Sequence, residues 1–289
     1  MPSGAAERWA ATRSFHHSDF PASQLIAAKR ERISVVLPAR DCADTVGAIV
    51  EPIVDLRESG LVDDVLVLDA SSTDGTAEVA RASGASVVQE NTLHPELGPV
   101  LGKGDAMWRS LAAVDGEIVC FVDADGRGPS GHFVPALIGP LLLEPEVQFV
   151  KGFYQRPLAL GEVRVDGGGG RVNHLTARPA LSLFYPELSG VRQPLAGEIA
   201  ARRALLDRLP FVTGYGVEIA MLIDAWREVG LEGLAQVDLD EHLNSHQSLQ
   251  ALTPMATTVL ATLAERMRRE GRLEIEPGGP LERPPRSGS

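Results

Sequence analysis

The sequence predicts an α/β fold in which a mostly parallel sheet is flanked by helices. From residue 33 onward, short apolar runs alternate with segments of helical period, beginning with ISVVLPA (33–39), TVGAIVEPIVDLRES (45–59) and DVLVLDA (64–70). The apolar runs are continuous in Val, Ile and Leu, which is typical of parallel strands buried on both faces. We interpret this opening as a βαβαβ unit with helices on both sides of the sheet.

The other elements are predicted from the same patterns. The first half continues with a helix at 75–84, a strand at 86–90, a loop at 91–101, a helix at 104–114, a strand at 117–125, a helix at 132–142 and a strand at 147–154. In the second half we expect a glycine-rich loop at 161–171, a helical stretch at 173–185, an extended segment at 191–197, a helix at 216–229, a strand at 235–239 and a helix at 248–270.

Composition excludes several classes of protein. Of the 289 residues, 44% are apolar, which allows a sizeable core, and the net charge of -12 argues against a nucleic-acid binder that neutralises phosphates. The apolar runs are shorter than the roughly 20 residues that span a bilayer, and residues 1–30 lack the apolar stretch of a secretory signal. With only Cys42 and Cys120, the chain has no disulfide framework. We therefore expect a cytoplasmic protein without a nucleic-acid or membrane partner.

The strongest local signal is Asp123-Ala124-Asp125 at the carboxyl end of an apolar strand. Ligands of open parallel sheets bind outside the carboxyl ends of the strands, so both carboxylates are expected to face that crevice. Carboxylate oxygens are the protein ligands that Mg²⁺ and Mn²⁺ prefer. The structural alternative is a strand followed by an ordinary Asp-Gly turn.

Two other predicted strands also end in small or polar residues. The first ends at Pro38-Ala39-Arg40-Asp41, and the second is followed by residues 69–74, which read Asp-Ala-Ser-Ser-Thr-Asp. Helix capping by Asp74 or its neighbours would account for part of this pattern. The convergence of three such strand ends on one crevice favours a ligand site.

Lys103 lies between Gly102 and Gly104, directly before a predicted helix. A lysine at a helix N-terminus opposes the helix dipole unless an anion binds nearby, and a diphosphate would resolve that conflict. The spacing does not match a Walker A loop, so a P-loop nucleotidase is not expected.

Taken in order, these segments resemble a known family. Leu-Pro-Ala (37–39), Asp-x-x-Ser-Thr-Asp, Gly-Lys-Gly-x-x-x-Trp-Arg-Ser-Leu (102–111) and Phe-Val-Asp-x-Asp are followed by Gly-Gly-Gly-Arg-Val (168–172), Ala-Arg-Pro (177–179), Gln-Pro-Leu-Ala-Gly-Glu (193–198), Gly-Tyr-Gly-Val-Glu-Ile (214–219) and Glu-His-Leu-Asn (241–244). The set is similar to GT-A glycosyltransferases, and most of all to the retaining glucosyl-3-phosphoglycerate synthases and their mannosyl relatives. The similarity covers about residues 30 to 265.

The resemblance implies a GT-A, Rossmann-like fold and a division of the chain. Residues 1–30 would be an N-terminal extension, 31–160 the half that binds a nucleotide sugar, 161–271 the smaller acceptor-binding and C-terminal half of the same domain, and 272–289 a disordered tail. The resemblance is compatible with a homodimer but does not fix the oligomeric state.

The resemblance also implies residue roles. Asp125 would be the main ligand of Mg²⁺ or Mn²⁺, with Asp123 nearer the donor ribose or the metal and His242 completing the metal site. Lys103 would contact the donor, and Glu218 would hold the hydroxyls of its sugar. The other donor contacts would be Pro38, Ala39, Arg40, Asp41, Ala70, Asp74 and Ala124, and the acceptor contacts would be Gly170, Arg171, Asn173, Tyr215 and Asn244.

In the implied mechanism, the cation neutralises charge that develops on the departing nucleoside diphosphate. Asp125, Lys103, Glu218 and the Leu195 carbonyl are the expected catalytic groups. The acceptor would attack from the front face, while the Leu195 carbonyl stabilises the oxocarbenium-like centre. A covalent intermediate on Glu218 is the minor alternative.

We therefore predict a retaining hexosyltransferase, with UDP-glucose as the first choice of donor, a GDP-sugar as the second, and 3-phosphoglycerate or a similar small anion as acceptor. A diverged enzyme acting on another small polar or acidic metabolite stays an alternative, because the sequence departs from the family pattern at Cys42, Ala43, Ala70, Ser71, Ala124 and Asn173. A sugar nucleotidyltransferase is another, although residues 38–42 lack its Gly-rich, Arg-containing loop. A non-catalytic sugar-nucleotide binder is the third.

Overall fold

The computed structural model describes residues 4–126, 131–156, 158–160, 163–165, 169–241, 248–274 and 281–286. Its α-helices are α1 (Gly4–Thr12), α2 (Ala22–Ala28), α3 (Ala43–Glu58), α4 (Thr76–Ala82), α5 (Lys103–Ser110), α6 (Phe133–Leu143), α7 (Arg178–Phe184), α8 (Arg203–Leu206), α9 (Val217–Val229) and α10 (Leu249–Arg269). The strands are β1 (Ser14–His16), β2 (Ile33–Ala39), β3 (Asp64–Asp69), β4 (Ser86–Gln89), β5 (Ile118–Phe121), β6 (Phe149–Gln155), β7 (Leu158–Leu160), β8 (Val163–Val165), β9 (Ile199–Arg202), β10 (Phe211–Val212), β11 (Leu234–Glu241) and β12 (Glu282–Arg283).

Eight of these strands form one twisted sheet in the order β1-β11-β6-β9-β5-β2-β3-β4. Neighbouring strands are parallel except at β9, which runs antiparallel to both β5 and β6. The chain proceeds from β2 to β3 and β4 on one side and then crosses to β5 on the other side of β2. The carboxyl ends of β2 and β5 therefore border a topological switch point, where open α/β sheets bind their ligands.

Helices cover both faces of the sheet, as the continuous apolar strands predict. On β2, Val35 and Leu37 pack in one core cluster with α3 and α6, whereas Val36 packs in the other with α5 and α9. The alternation of side chains along one strand thus supplies both cores. The predicted α/β class with a mostly parallel, helix-flanked sheet is confirmed.

Most predicted elements are present with ends shifted by a few residues. The helix predicted at 216–229 is α9, Val217–Val229, and the strand predicted at 235–239 is β11, Leu234–Glu241. The strand predicted at 117–125 ends already at Phe121, which leaves Asp123 and Asp125 on the loop that follows. The stretch predicted as helical at 173–185 begins with a π-helical turn at Asn173–Ala177 and continues into α7.

The two ends of the chain pack against the rest of the fold. The N-terminal extension is part of the sheet, because β1 pairs with β11 and Trp9 Nε1 donates to the Leu234 carbonyl at 3.0 Å. The prediction of a disordered tail is wrong for residues 281–286, where β12 pairs with β10 and Arg283 contacts Asp105 at 2.6 Å. None of the described helices is both long and apolar enough to cross a membrane.

Candidate active site

A pocket of about 270 Å³ opens at the switch point of the sheet. It lies beyond the carboxyl end of β5 and between the N-terminal ends of α5 and α9. Its lining consists of Lys103, Asp123, Asp125, Arg156, Gly169, Gly170, Arg171, Val172, Asn173, Gln193, Leu195, Ala196, Tyr215, Glu218, Leu252 and Met255. The structure thus brings together the predicted metal, donor-sugar and acceptor residues that it describes.

Lys103 is held at the centre of this pocket by two carboxylates. Its Nζ lies 2.6 Å from Asp123 Oδ1 and 2.9 Å from Glu218 Oε1. Burial alone would lower the pKa of Lys103, but the charges of Asp123 and Glu218 outweigh that effect and raise its pKa well above the usual range. The lysine is therefore a fixed positive charge between two carboxylates.

The glycines that flank Lys103 explain its position. Gly102 has a φ of +100°, a conformation that favours glycine. A Cβ on Gly104 would lie 1.7 Å from the Val212 carbonyl oxygen, so only glycine lets the first turn of α5 pack against β10. The Gly-Lys-Gly sequence thus lets the N-terminus of α5 pack closely against β10, and this position places Lys103 in the pocket lining.

The two carboxylates of the Asp123-Ala124-Asp125 segment have different surroundings. Asp123 packs against Gly197 so closely that a Cβ on Gly197 would lie 2.3 Å from Asp123 Oδ2. Asp125 is exposed and lines the pocket. Ala124 faces away, since it is buried and its carbonyl accepts a hydrogen bond from Thr45 Oγ1 at 2.7 Å. Asp123 is thus fixed beside the lysine, and Asp125 is the more exposed of the two carboxylates.

The other predicted donor residues lie on two adjoining loops, outside the lining of this pocket. Pro38 and Ala39 end β2, and Ala70 N donates to the Ala39 carbonyl at 2.9 Å. Asp41, with a φ of 49°, accepts from Thr73 N at 3.2 Å through its Oδ1. Exposed Arg40 lies 3.9 Å from Glu90 Oε1. These hydrogen bonds hold the loops after β2 and β3 side by side.

Asp74 links the N-terminal ends of two helices. Its Oδ2 accepts from Ala43 N at 2.9 Å, and its Oδ1 accepts from Thr76 N at 3.0 Å and Thr76 Oγ1 at 2.6 Å. These hydrogen bonds lower the pKa of the carboxyl group. Gly75, not Asp74, is the N-cap of α4, although Asp74 still accepts from the first amide groups of both helices. A donor contact by Asp74 stays a prediction.

The acceptor side of the pocket begins at the glycine run. Gly170 has a φ of +65°, and helical residues continue without interruption from 171 to 184. The amide groups at the start of a helix favour an anion, and Arg171 adds a charged donor there. Asn173 is buried, and its Nδ2 donates to the Arg192 carbonyl at 3.2 Å, while its Oδ1 has no hydrogen-bond partner in the described structure.

Two predicted residues, His242 and Asn244, lie outside the described residues. Their assignments as metal ligand and acceptor contact stay predictions. Of the predicted metal ligands, the structure describes Asp123 and Asp125. Both offer carboxylate oxygens to the pocket, and such oxygens fit a hard divalent cation.

Sequence reasoning did not assign several residues that the structure places at or near the site. Lys151 is 2% exposed, and its Nζ donates to the Ala196 carbonyl at 2.7 Å. Asp69 accepts from Gln89 Nε2 at 2.7 Å, while its buried Oδ1 has no hydrogen-bond partner among the described residues. Arg156, Leu252 and Met255 line the pocket. Only Asp69 had a visible signal, because it is an acidic residue at a strand end.

Comparison with known proteins places this fold and pocket in a family. The family model described as glycosyl transferase family 2 matches residues 34–171. A glucosyl-3-phosphoglycerate synthase of Mycolicibacterium smegmatis is 47% identical over 260 residues, which is 90% of this chain and 86% of that protein. The chain belongs to the glucosyl-3-phosphoglycerate synthase family of glycosyltransferases.

Solved structures of this family match the fold over almost its whole length. A mannosyl-3-phosphoglycerate synthase from Rubrobacter xylanophilus has a TM-score of 0.90 at 41% identity and covers 99% of this chain and 98% of its own. The glucosyl-3-phosphoglycerate synthase from Mycobacterium tuberculosis, crystallised with Mn²⁺, UDP-glucose and phosphoglyceric acid, has a TM-score of 0.84 at 41% identity and covers 95% of this chain and 98% of its own. The predicted GT-A resemblance is confirmed.

Proposed function

We propose that the protein is a metal-dependent, retaining glucosyltransferase that moves glucose from UDP-glucose to 3-phosphoglycerate. One observation carries the proposal: the family match extends over nine-tenths of the chain. The pocket at the switch point of the sheet supports it, because it combines Asp123 and Asp125 with the half-buried Lys103 and with the helix start at Gly170 and Arg171. A related structure holds Mn²⁺, UDP-glucose and phosphoglyceric acid together, which supports these substrates.

On the donor side, Asp125 would bind Mg²⁺ or Mn²⁺ with Asp123 and His242, and the bound ion would neutralise charge on the departing diphosphate. The end of β2 and the loops after β2 and β3 would hold the nucleotide through Pro38, Ala39, Arg40, Asp41, Ala70 and Asp74, with Ala124 as a further donor contact. The buried Oδ1 of Asp69 supports a ligand there, since a buried oxygen without a hydrogen-bond partner is costly.

Glu218 would hold hydroxyls of the transferred glucose. Its carboxylate is 8% exposed and lies 2.9 Å from Lys103 Nζ, so its position and charge are fixed before the donor binds. Lys103 would contribute a positive charge near the donor phosphates. Lys103 also pairs with Asp123. Its positive charge therefore reduces the repulsion between these two carboxylates and the negatively charged diphosphate of the donor.

On the acceptor side, Gly170 and Arg171 would bind the phosphate and carboxylate of 3-phosphoglycerate. The planar guanidinium group of arginine binds such anions bidentately. Asn173, Tyr215 and Asn244 would complete this side. The Leu195 carbonyl would stabilise the oxocarbenium-like centre during front-face attack.

The test is the metal-dependent affinity for the donor. In Asp125→Ala, calorimetry with UDP-glucose should show no gain in affinity on adding Mn²⁺, while circular dichroism and the unfolding temperature stay close to those of the unchanged protein. The matched control is Asp115→Ala, which removes an exposed aspartate from a loop outside the pocket lining. Unchanged metal-dependent affinity in Asp125→Ala would remove Asp125 from the metal site.

A mannosyltransferase is the second candidate function. It is favoured by the TM-score of 0.90 to the mannosyl-3-phosphoglycerate synthase from Rubrobacter xylanophilus, which exceeds that of the glucosyl relative above. Parallel turnover assays with UDP-glucose and GDP-mannose decide between them, because a higher kcat/KM with GDP-mannose would replace the first proposal.

We also propose that the enzyme acts in the cytoplasm. Cys42 and Cys120 are both buried free thiols, which suits a reducing compartment. The homodimer stays a prediction, and sedimentation of the purified protein would test it.

A further inference from the structure

A second cluster of metal-binding side chains lies at the edge of the sheet that β1 forms. In the parallel pairing of β1 with β11, His16 is opposite Asp238. The carboxyl ends of the two strands therefore bring His16 and His17 next to Asp240. None of these three residues is in the lining of the catalytic pocket.

The contacts within this cluster are close and specific. His16 Nε2 lies 3.1 Å from Asp240 Oδ1, and His17 Nε2 lies 2.7 Å from Asp240 Oδ2. One ligand atom from each residue can be chosen so that all three atoms lie within 4.8 Å of one another, and it is the one such group of three found among the described residues. We propose that His16, His17 and Asp240 form a binding site for a zinc-type transition-metal ion.

The donor set selects the class of ion. Two imidazole nitrogens and one carboxylate are typical ligands of Zn²⁺ and its transition-metal neighbours, whereas Mg²⁺ prefers oxygen ligands. Ligand atoms around a tetrahedral zinc ion are about 3.3 Å apart at bond lengths of about 2.0 to 2.1 Å. The two nitrogen-oxygen distances, 3.1 and 2.7 Å, are somewhat shorter than that value, so the side chains would move apart by about 0.2 and 0.6 Å to hold the ion. Asp240 is more than half exposed, which leaves room for water as a fourth ligand.

The surrounding groups hold the two rings in place. The His17 ring lies 4.3 Å from the His16 ring on one side and 4.3 Å from the His132 ring on the other. His132 Nε2 is in turn hydrogen-bonded to the Leu239 carbonyl at 3.0 Å. The rings of His16 and His132 thus limit the rotation of His17, and the Leu239 carbonyl fixes His132.

His16 also has a partner for the nitrogen that would not bind the metal. Its Nδ1 lies 2.7 Å from Ser18 Oγ, which can accept an N–H from that nitrogen when Nε2 binds a metal. In the metal-free arrangement, Nδ1 accepts the longer hydrogen bond from Ser18 N at 3.3 Å. Such a partner on the second ring nitrogen is usual for histidines that bind metals.

The backbone at Asp240 is consistent with a built site. Asp240 has a φ of 62°, a left-handed conformation that is uncommon outside glycine, and its N–H donates to Asp238 Oδ1 at 3.1 Å. This turn directs the carboxylate of β11 towards the β1 side. A bound ion would join the N-terminal strand β1 to β11, which runs directly into residues 242–247.

The test uses protein without a histidine tag, titrated with Zn²⁺ by calorimetry in excess Mg²⁺, so that the predicted catalytic site is filled by Mg²⁺. One Zn²⁺ per chain should bind, and His17→Gln should weaken that binding at least 10-fold. Asp240→Asn provides the second variant, because asparagine has the same shape and tolerates a positive φ. The matched control is His94→Gln, since His94 also pairs with a carboxylate, Glu96 at 3.0 Å.

Each outcome decides the proposal. Loss of the Zn²⁺ site in His17→Gln and Asp240→Asn, with retention in His94→Gln and in Asp125→Ala, supports it. If His17→Gln does not fold, the result for Asp240→Asn stands in its place. No Zn²⁺ binding in excess Mg²⁺, Zn²⁺ binding in both cluster variants as tight as in the unchanged protein, or loss of binding in Asp125→Ala would overturn it.

Discussion

Lys151 shows how a single buried charge supports the site. Its Nζ donates to the Ala196 carbonyl at 2.7 Å, next to the Leu195 carbonyl that the proposed mechanism uses. Burial lowers the pKa of Lys151 to about 8, even though the nearby carboxylates of Glu218, Glu198 and Asp123 act in the opposite direction. We interpret Lys151 as a positioning residue that fixes the loop before β9.

The lowered pKa of Lys151 predicts a pH dependence of stability. The unfolded chain keeps a lysine pKa of about 10.4, so the unfolded state binds more protons between pH 8 and pH 10 and stability due to Lys151 rises with pH there. Relative to Lys151→Met, the free energy of unfolding of the unchanged protein should gain about 2 kcal/mol between pH 7 and pH 9.5. Urea denaturation at several pH values measures this. A difference that stays flat over this pH range would contradict the buried charge.

Arg171 allows a prediction about the acceptor. If it binds 3-phosphoglycerate, Arg171→Ala should raise the KM for the acceptor by about 10-fold or more, since a hydrogen bond to a charged group contributes about 1.5 to 3 kcal/mol. The KM for UDP-glucose should change little. Arg178→Ala is the matched control, because Arg178 is exposed seven residues further along the same helical segment and outside the pocket lining. The reverse pattern of KM values would move Arg171 to the donor side.

For single residues, the sequence patterns predicted site positions where a residue type is unusual for its place in an element. Asp125 after an apolar strand and Lys103 at a helix N-terminus were both predicted, and both line the pocket. Lys151 was not, because a lysine within an apolar strand gives no sign of which face it occupies. The contacts of Lys103 with Asp123 at 2.6 Å and with Glu218 at 2.9 Å were not predicted either, since they join residues far apart in the chain.

At the scale of elements, helix α5 depends on the C-terminal strand. Asp105 in its first turn is fully buried and pairs with Arg109 of the same helix and with Arg283 of β12. Trp108 Nε1 donates to the Pro284 carbonyl at 3.0 Å. Residues 281–286 thus cover the helix whose first residue is Lys103.

Removing this contact should loosen α5. Arg283→Met leaves Asp105 with Arg109 and the Leu101 amide as partners, and we expect it to lower the free energy of unfolding by about 1 to 3 kcal/mol, the usual cost of a lost hydrogen bond to a buried charged group. Arg208→Met, which breaks the exposed pair with Glu228, should cost less than about 1 kcal/mol. Denaturant unfolding compares the two variants, and equal losses would show that the C-terminal strand does not stabilise α5.

The elements that the sequence did not predict are short ones that exist through their neighbours. Strand β9 has four residues and runs antiparallel between β5 and β6, a placement that no local pattern encodes. Strand β1 has three residues and forms by adding to β11, whereas the two-residue strands β10 and β12 exist only through their pairing with each other. The long apolar strands and periodic helices were predictable because their own residues supply the buried surface.

At the scale of the whole molecule, binding of the donor and the metal should increase the stability of the folded protein. The net charge of -12 opposes anionic ligands at long range, so their binding depends on the local charges of Lys103, Arg156 and Arg171 and on the cation. UDP-glucose at 100 times its Kd, with Mn²⁺, should stabilise the protein by about 2.7 kcal/mol. Thermal unfolding measures this, and stabilisation of equal size without any divalent cation would contradict the metal-dependent site.

The most direct measurement of the central claim is a turnover assay of the purified protein with UDP-glucose, 3-phosphoglycerate and Mn²⁺. UDP release should require both the acceptor and the metal, and nuclear magnetic resonance of the product should show that the anomeric configuration of the donor is retained. Asp115→Ala should keep this activity and Asp125→Ala should lose it. A glucose product of inverted configuration, or no glucosyl transfer to 3-phosphoglycerate by a folded protein that binds UDP-glucose, would contradict the account.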